Sequence, residues 1–258
     1  MLFAPVLSDV AARMAGAGPE TGSCAAIEAV PAAYRLRDAV ELVRPDWVVT
    51  HHDPEVEARA ARTAGEVELV DVSLAGLAPV AGLVELVEVL AALFPDTVIA
   101  ASVTGPAGMA AAMERLESAG GSADLLDCGD VLAELVSAYV GAGASRVLVW
   151  EPEVAEDIAD EVTSAHTSIV RRLDMLGVEG VLCGGAAIDS AGYWAHALNG
   201  GGRQATLLPA DAFARGAADC AAELLRNSAA HGLVVTEGPV PADCDLGLLS
   251  AASVRRAG

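Results

Sequence analysis

Aromatic residues are scarce in this chain. They make up 3 % of 258 residues, while 53 % of the sequence is hydrophobic. The core must therefore be built from small aliphatics, which suits helices packed closely on a sheet. Cations are also few: 15 Lys and Arg face 36 Asp and Glu, a formal charge of −21. Such a surface repels phosphate backbones, so nucleic-acid binding is not expected, and long-range steering of polyanions is disfavoured. Cysteines number five, an odd count, and no CxxC occurs. That argues against a disulfide framework and for a reducing, cytoplasmic setting. The opening stretch MLFAPVLSDVAARMAG has no basic leader, and Pro5, Ser8 and Asp9 interrupt its apolar run, so it does not read as a signal peptide. No run of about 18 apolar residues exists, so no membrane span is expected. No GxGxxG follows the first predicted strand, which removes the usual dinucleotide signal.

What the chain does have is alternation. Apolar runs predict strands over 46–51, 67–74, 97–105, from 146 into WEP, 178–185, 204–210 and 233–239, with a weaker one over 123–127. Between them, helical spacing with Asp or Pro starts and Gly stops predicts helices over 31–44, 53–65, 82–94, 106–120, 131–143, 154–176, 211–232 and 245–257, and a short one near 189–199. Connections are short, and no linker separates two domains. The pattern predicts one α/β domain over 1–258, a single (βα)8 TIM-type barrel, with residues 1–40 as a helical segment ahead of the first barrel strand. An open doubly wound sheet is the other architecture with this alternation.

In such a barrel the site is built by the loops that follow the strands. His51, His52 and Asp53 follow the 46–51 run, and Ser102, Thr104 and Gly105 end the 97–105 run. Glu151 and Glu153 follow VLVW; Cys183, Gly184 and Gly185 end the 178–185 run; Asp211 follows the 204–210 run; Thr236 and Glu237 end the last one. Asp53 and Asp211 also read as helix N-caps. Glu151 closes a buried apolar run, where a carboxylate must find a partner or water. Cys183 within an apolar strand reads equally as a small hydrophobe. Strand alternation would send His51 and His52 to opposite faces, leaving one at the mouth. His166, on a helix, is expected to pack or to lie at the surface.

The C-terminal half resembles the uroporphyrinogen decarboxylase superfamily. The segment VLAELVSAYVGAGASRVLVWEPE is similar to its helix that runs through GA into a strand ending in acids. SVTGPAGMAA resembles its GP turn, VEGVLCGG its strand ending in Cys-Gly, and HGLVVTEGPVPADCDLGLLSAASV its last strand, loop and final helix. The likeness runs over roughly residues 40–257 and implies a βα barrel. The superfamily includes corrinoid-dependent methyltransferases, with cobalamin-independent methionine synthase as a more distant relative.

Two departures direct the functional expectation. The arginine-rich N-terminal motif of the true decarboxylases is absent, since AAYRLRD places Arg35 and Arg37 inside a predicted helix. The His-x-Cys of the zinc methyltransferases becomes Val181-Leu182-Cys183, without the histidine. The resemblance then implies a carbon–carbon lyase that decarboxylates a small organic acid without a cofactor. Asp53 and Glu151 are its candidate catalytic residues, with His52, Thr104, Gly105, Glu153, Gly184 and Glu237 as substrate-binding residues. The alternative is methyl transfer to a thiol. It uses zinc held by Cys183 and Cys244 with Glu151 or Glu237, or a corrinoid donor carried by a partner protein. A third reading is a degenerate, non-catalytic barrel serving as a binding subunit. Apolar residues on the barrel helices are compatible with a homodimer.

Overall fold

The computed structural model describes residues 1–16, 27–65, 67–116, 123–217, 225 and 232–254. Strands β1 (Leu2–Val6), β2 (Trp47–Val49), β3 (Val98–Thr104), β4 (Arg146–Glu151), β5 (Glu179–Gly184), β6 (Ala195–Asn199), β7 (Gln204–Leu208) and β8 (Leu233–Pro239) form one sheet. Its order is β1-β8-β7-β6-β5-β4-β3-β2, and every pairing is parallel. The two end strands meet: the Asp46 N–H donates to the Phe3 carbonyl at 2.9 Å, and the Phe3 N–H donates to the Asp46 carboxylate at 2.5 Å. The sheet is thus a nearly closed single (βα)8 TIM-type barrel. Around it lie α1 (Ser8–Met14), α2 (Ala29–Val43), α3 (Val56–Thr63), α4 (Val80–Leu93), α5 (Pro106–Leu116), α6 (Leu125–Gly141), α7 (Ala159–Leu176) and α8 (Leu246–Val254). Among the described residues, no helix is long and apolar enough to cross a membrane.

Period-two alternation splits the core into two layers. Val48, Ile99, Val147, Val149, Leu182 and Val234 face the helices. Ala4, Ala100, Leu148, Val181, Ala195, Ala197 and Ala205 fill the barrel's interior. Alanines leave volume there, and all three tryptophans of the chain, Trp47, Trp150 and Trp194, pack into it. Trp47 and Trp194 meet at 5.9 Å near the strand N-termini, where Arg146 lies over Trp47 and pairs with Glu179 at 2.7 Å.

Four expectations are corrected. The run 67–74 is no strand; it forms 3-10 turns at Leu69–Asp71 and Leu74–Gly76. The run 123–127 opens α6, because the Asp124 carboxylate accepts from the N–H groups of Leu126 and Asp127 and caps the helix. Residues 1–40 do not precede the barrel: β1 lies within them, with α1 and α2 after it. Pro5 obscured that strand; lacking an N–H it fits where the β1–β8 register shifts, between Ala4 and Val6. The short helix near 189–199 is instead β6, an alanine-rich strand of the barrel interior. The total of eight strands survives because two false strands offset two missed ones. The predicted helix over 211–232 lies largely outside the described residues, apart from a 3-10 turn at Ala210–Phe213 that leaves Asp211 exposed.

Among the described residues, two helices of the ideal pattern are missing. Residues 185–194 link β5 to β6 without one, and residues 200–203 alone return the chain from β6 to β7. Parallel neighbours normally need a dozen or more residues for that return. Here Gly200 and Gly201 take φ values of 79° and 115°, and a Cβ on Gly202 would lie 2.1 Å from the His196 carbonyl oxygen. Arg203 then ties the β5–β6 segment down, donating to the carbonyls of Ser190, Tyr193 and Trp194 at 2.7, 2.5 and 3.1 Å. Gly202→Ala is therefore expected to destabilise the chain by about 1–3 kcal/mol, because backbone must move to admit the methyl group. The denaturant midpoint of the variant against the parent chain checks this; an unchanged midpoint would mean the return is looser than described.

Candidate functional site

Glu151 continues the outward row of Val147 and Val149, so its side chain leaves the barrel axis for the helix layer. Its carboxylate is completely buried. It accepts the Gly108 N–H at 2.8 Å from the first turn of α5, and it lies 2.7 Å from His166 Nε2 on α7. His166 Nδ1 in turn lies 2.6 Å from Tyr193 Oη. Glycines make room for this chain of contacts. A Cβ on Gly105 would sit 2.2 Å from a Glu151 carboxylate oxygen, and one on Gly184 would sit 2.2 Å from the Glu151 carbonyl oxygen. Gly185 would press on the Glu151 side chain at 3.2 Å. The Thr-Gly-Pro and Cys-Gly-Gly turns thus pack around a buried acid, and Glu151, Gly105 and Gly184 stand together behind the mouth rather than in it.

The mouth itself opens between β8, β1 and β2, as a cavity of about 210 Å³. Asp9, Arg35, Thr50, His51, His52, Asp53 and Pro239 line it, with Leu36, Leu83 and Leu86 as an apolar wall. A narrow cleft adjoins it, lined by His51, His52, Asp53, Ser102, Thr104 and Trp150. There the His52 ring meets Trp150 edge-on at 4.6 Å, and Trp150 Nε1–H donates to Ser102 Oγ at 3.2 Å. Of the residues named from the sequence, His52, Asp53 and Thr104 come together here. Both histidines reach the cavity, contrary to the alternation argument, because β2 ends at Val49 and its period ends with it. Glu153 and Glu237 are exposed and line neither space; Glu237 accepts the Ala210 N–H at 3.4 Å.

Asp53 has two duties. One oxygen accepts the Glu55 N–H at 3.1 Å, as a turn-capping group, and the other pairs with the buried Arg59. Burial pushes the Asp9 carboxyl up and the His52 imidazole down from their ordinary values. His51, 2.9 Å from Thr50 Oγ1, is held neutral: burial lowers it to about 4. Glu57, fully buried on α3, accepts from both the N–H (3.1 Å) and the Oγ1–H (2.7 Å) of Thr104, and burial raises it to about 7. Asp9, Arg35 and Glu57 were missed in the sequence. Arg35 was set aside as helical, although a helical residue can face a barrel mouth, and Glu57 carries no local signal.

The zinc ligands implied by the methyltransferase resemblance are not assembled. Cys183 lies in the barrel interior and Cys244 in the core beneath the helices. Burial pushes the Cys183 thiol far up, where a zinc ligand must be a thiolate. Among the described residues, no three His, Cys, Asp or Glu are placed to hold a metal. Cys24 and Cys220 lie outside the described residues.

Two predictions follow from these buried groups. Removing the Glu151 carboxylate strands His166 and the Gly108 N–H, so Glu151→Ala should lose about 3–5 kcal/mol. Glu151→Gln should lose less, since its amide still accepts; urea unfolding of the two variants measures the difference. The second concerns pH. Glu57 binds its proton more tightly folded than unfolded, so its contribution to stability is full below about pH 4.5 and lost as pH rises through 7. His51 does the reverse, contributing fully above about pH 6.5 and losing it as pH falls through 4. From pH 4.5 to 7, Glu57→Gln should therefore gain on the parent chain, by up to about 3 kcal/mol. Parallel pH–stability curves for the two would contradict a strained carboxylate at Glu57.

No family model matches the chain, and no curated protein matches it. Among solved structures, a methyltransferase from Methanosarcina mazei superposes with a TM-score of 0.69 at 12 % identity, over 98 % of this chain and 99 % of that one. At that identity the likeness is one of fold: the barrel is of the kind a methyltransferase uses. Membership of the uroporphyrinogen decarboxylase superfamily gains no family match.

Proposed function

We propose that the chain is a small-molecule enzyme that acts on a small organic acid in the cavity between β8, β1 and β2. The observation that carries this reading is the gathering of Asp9, Arg35, His52 and Asp53 on one cavity with an apolar wall. A cation, an acid of raised proton affinity and a neutral imidazole around a partly apolar volume are the parts of proton-transfer chemistry. Arg35 brings positive charge to the wall, which suits an acid, and Leu36, Leu83 and Leu86 take the carbon skeleton. Decarboxylation is the reaction we assign. The bond from carbon to the departing carboxylate breaks, its electron pair stays on carbon, and a proton from Asp9 closes the step. Glu151 belongs to this reading as a positioning residue, since it holds the α5 turn that carries Thr104 and Gly105. An open cavity that carries Asp53 and His52 also counts against a degenerate barrel with an apolar-filled mouth.

The second reading is methyl transfer to a thiol, favoured by the methyltransferase among the solved structures of like fold. Elemental analysis of protein purified without chelator separates the two. About one zinc per chain, lost in Cys183→Ala, would support methyl transfer at a thiolate-bound zinc. For decarboxylation, the test is carbon dioxide release from a panel of small carboxylic acids. Turnover should fall by about 10²–10⁴-fold in Asp9→Asn and His52→Ala. Undiminished release in both variants would remove the cavity from the chemistry.

A further inference from the structure

The cavity between β8, β1 and β2 takes its polar groups from a strand end and its apolar wall from three helices. Thr50, His51, His52 and Asp53 follow β2. Ala11 and Ala12 come from α1, Ala32 and Leu36 from α2, and Leu83 and Leu86 from α4. Ala32 and Leu36 stand one turn apart, as do Leu83 and Leu86, so each helix presents one face to the space. Ile27, just ahead of α2, also lines it. A glycine explains how Ile27 comes to be there. A Cβ on Gly82, in the first turn of α4, would lie 2.6 Å from the Ile27 carbonyl oxygen and 3.0 Å from the Ile27 Cβ. Glycine is unfavourable in a helix relative to alanine. At this position it lets the Ile27 backbone rest directly on the helix that carries Leu83 and Leu86.

Size and charge together decide what fits. An apolar cavity of about 150 Å³ takes a benzene ring. On that scale the 210 Å³ here takes about eight non-hydrogen atoms. Among the described residues that line the cavity, Arg35 carries the one full positive charge, beside Asp9 and Asp53, and Asp53 already pairs with Arg59. A second carboxylate on the ligand would meet those acids, whereas a hydrocarbon tail meets leucine, isoleucine and alanine. A carboxylate accounts for three of the eight atoms. We propose that the cavity is a chain-length gauge for a monocarboxylic acid with an aliphatic tail of about five carbons, and that Ile27 and Ala32 set the length it accepts. The inference rests on the carboxylate reading above for the head group and adds the class of tail.

The test titrates the full chain in a calorimeter with the unreactive straight-chain acids from propanoate to octanoate, and with the corresponding alcohols. Affinity for the acids should rise about fourfold with each added methylene up to hexanoate and fall beyond it. Ala32→Leu adds three carbons to the wall, so its optimum should move to shorter acids, and hexanoate should bind about 50-fold more weakly. Ile27→Ala removes three carbons, so octanoate should overtake hexanoate. Both positions are half-buried, so neither variant empties or overfills the core. Acids that bind without regard to length, or with one profile shared by the parent chain and both variants, overturn the gauge and leave the carboxylate reading standing. Alcohols that follow the length profile while the acids fail to bind keep the gauge and overturn the carboxylate head group. Binding of neither series overturns both.

Discussion

The upper rim of this barrel is organised around the burial of one carboxylate. Glu151 ends β4 facing the helix layer, where an ionised group with no partner would be prohibitively unstable. Its needs dictate its surroundings. An imidazole comes from α7, an N–H from the first turn of α5, and the backbone on either side closes in so far that Gly105, Gly184 and Gly185 can carry no side chain. The β3, β4 and β5 loops are thereby locked to one another. A rim fixed on that side leaves the opposite sector, β8, β1 and β2, to form the open cavity.

The interior of the barrel shows a comparable trade between small and large. Five alanines, Ala4, Ala100, Ala195, Ala197 and Ala205, line a space that three tryptophans fill. Interiors pack to near-crystalline density, so alanine-rich strands oblige a few bulky residues to enter from the strand ends. Trp47 and Trp194 close the N-terminal end, while Trp150 reaches the C-terminal cleft and presents its ring to His52. The low aromatic content is thus spent where each ring does most for closure. The same economy marks β6 and β7, where three glycines and Arg203 stand in for a helical crossover.

The barrel was legible in the sequence because buried parallel strands give unmistakable apolar runs, such as VLVW and GVLC. β1 and β6 were not legible, since Pro5 broke one pattern and alanine gave the other a helical look. Asp124 misled in the opposite sense: two leucines suggested a strand, but a side-chain cap decided for helix. At the site, His52, Asp53 and Thr104 could be named because strand ends are where barrel loops converge. Glu151 was singled out for the right reason, a charge that must be matched, yet a strand end has two faces and only register decides between them. Arg35 and Asp9 reach the cavity from α2 and α1, which no spacing within either helix reveals.

The two buried glutamates make the division of labour plain. Glu151 has a histidine and a backbone N–H as hydrogen-bond partners, and it ties α5 and α7 to the end of β4. Glu57 has neutral donors, the N–H and Oγ1–H of Thr104 and its own backbone N–H, and burial draws its proton affinity toward neutrality. Stability alone would favour an apolar residue at that position. A group whose ionisation is so finely balanced, one hydrogen bond away from a residue of the cleft, is costly to the fold in the range where its charge changes. That cost is borne on α3, against the end of β3, where Thr104 is the one residue between the carboxyl group and the cleft.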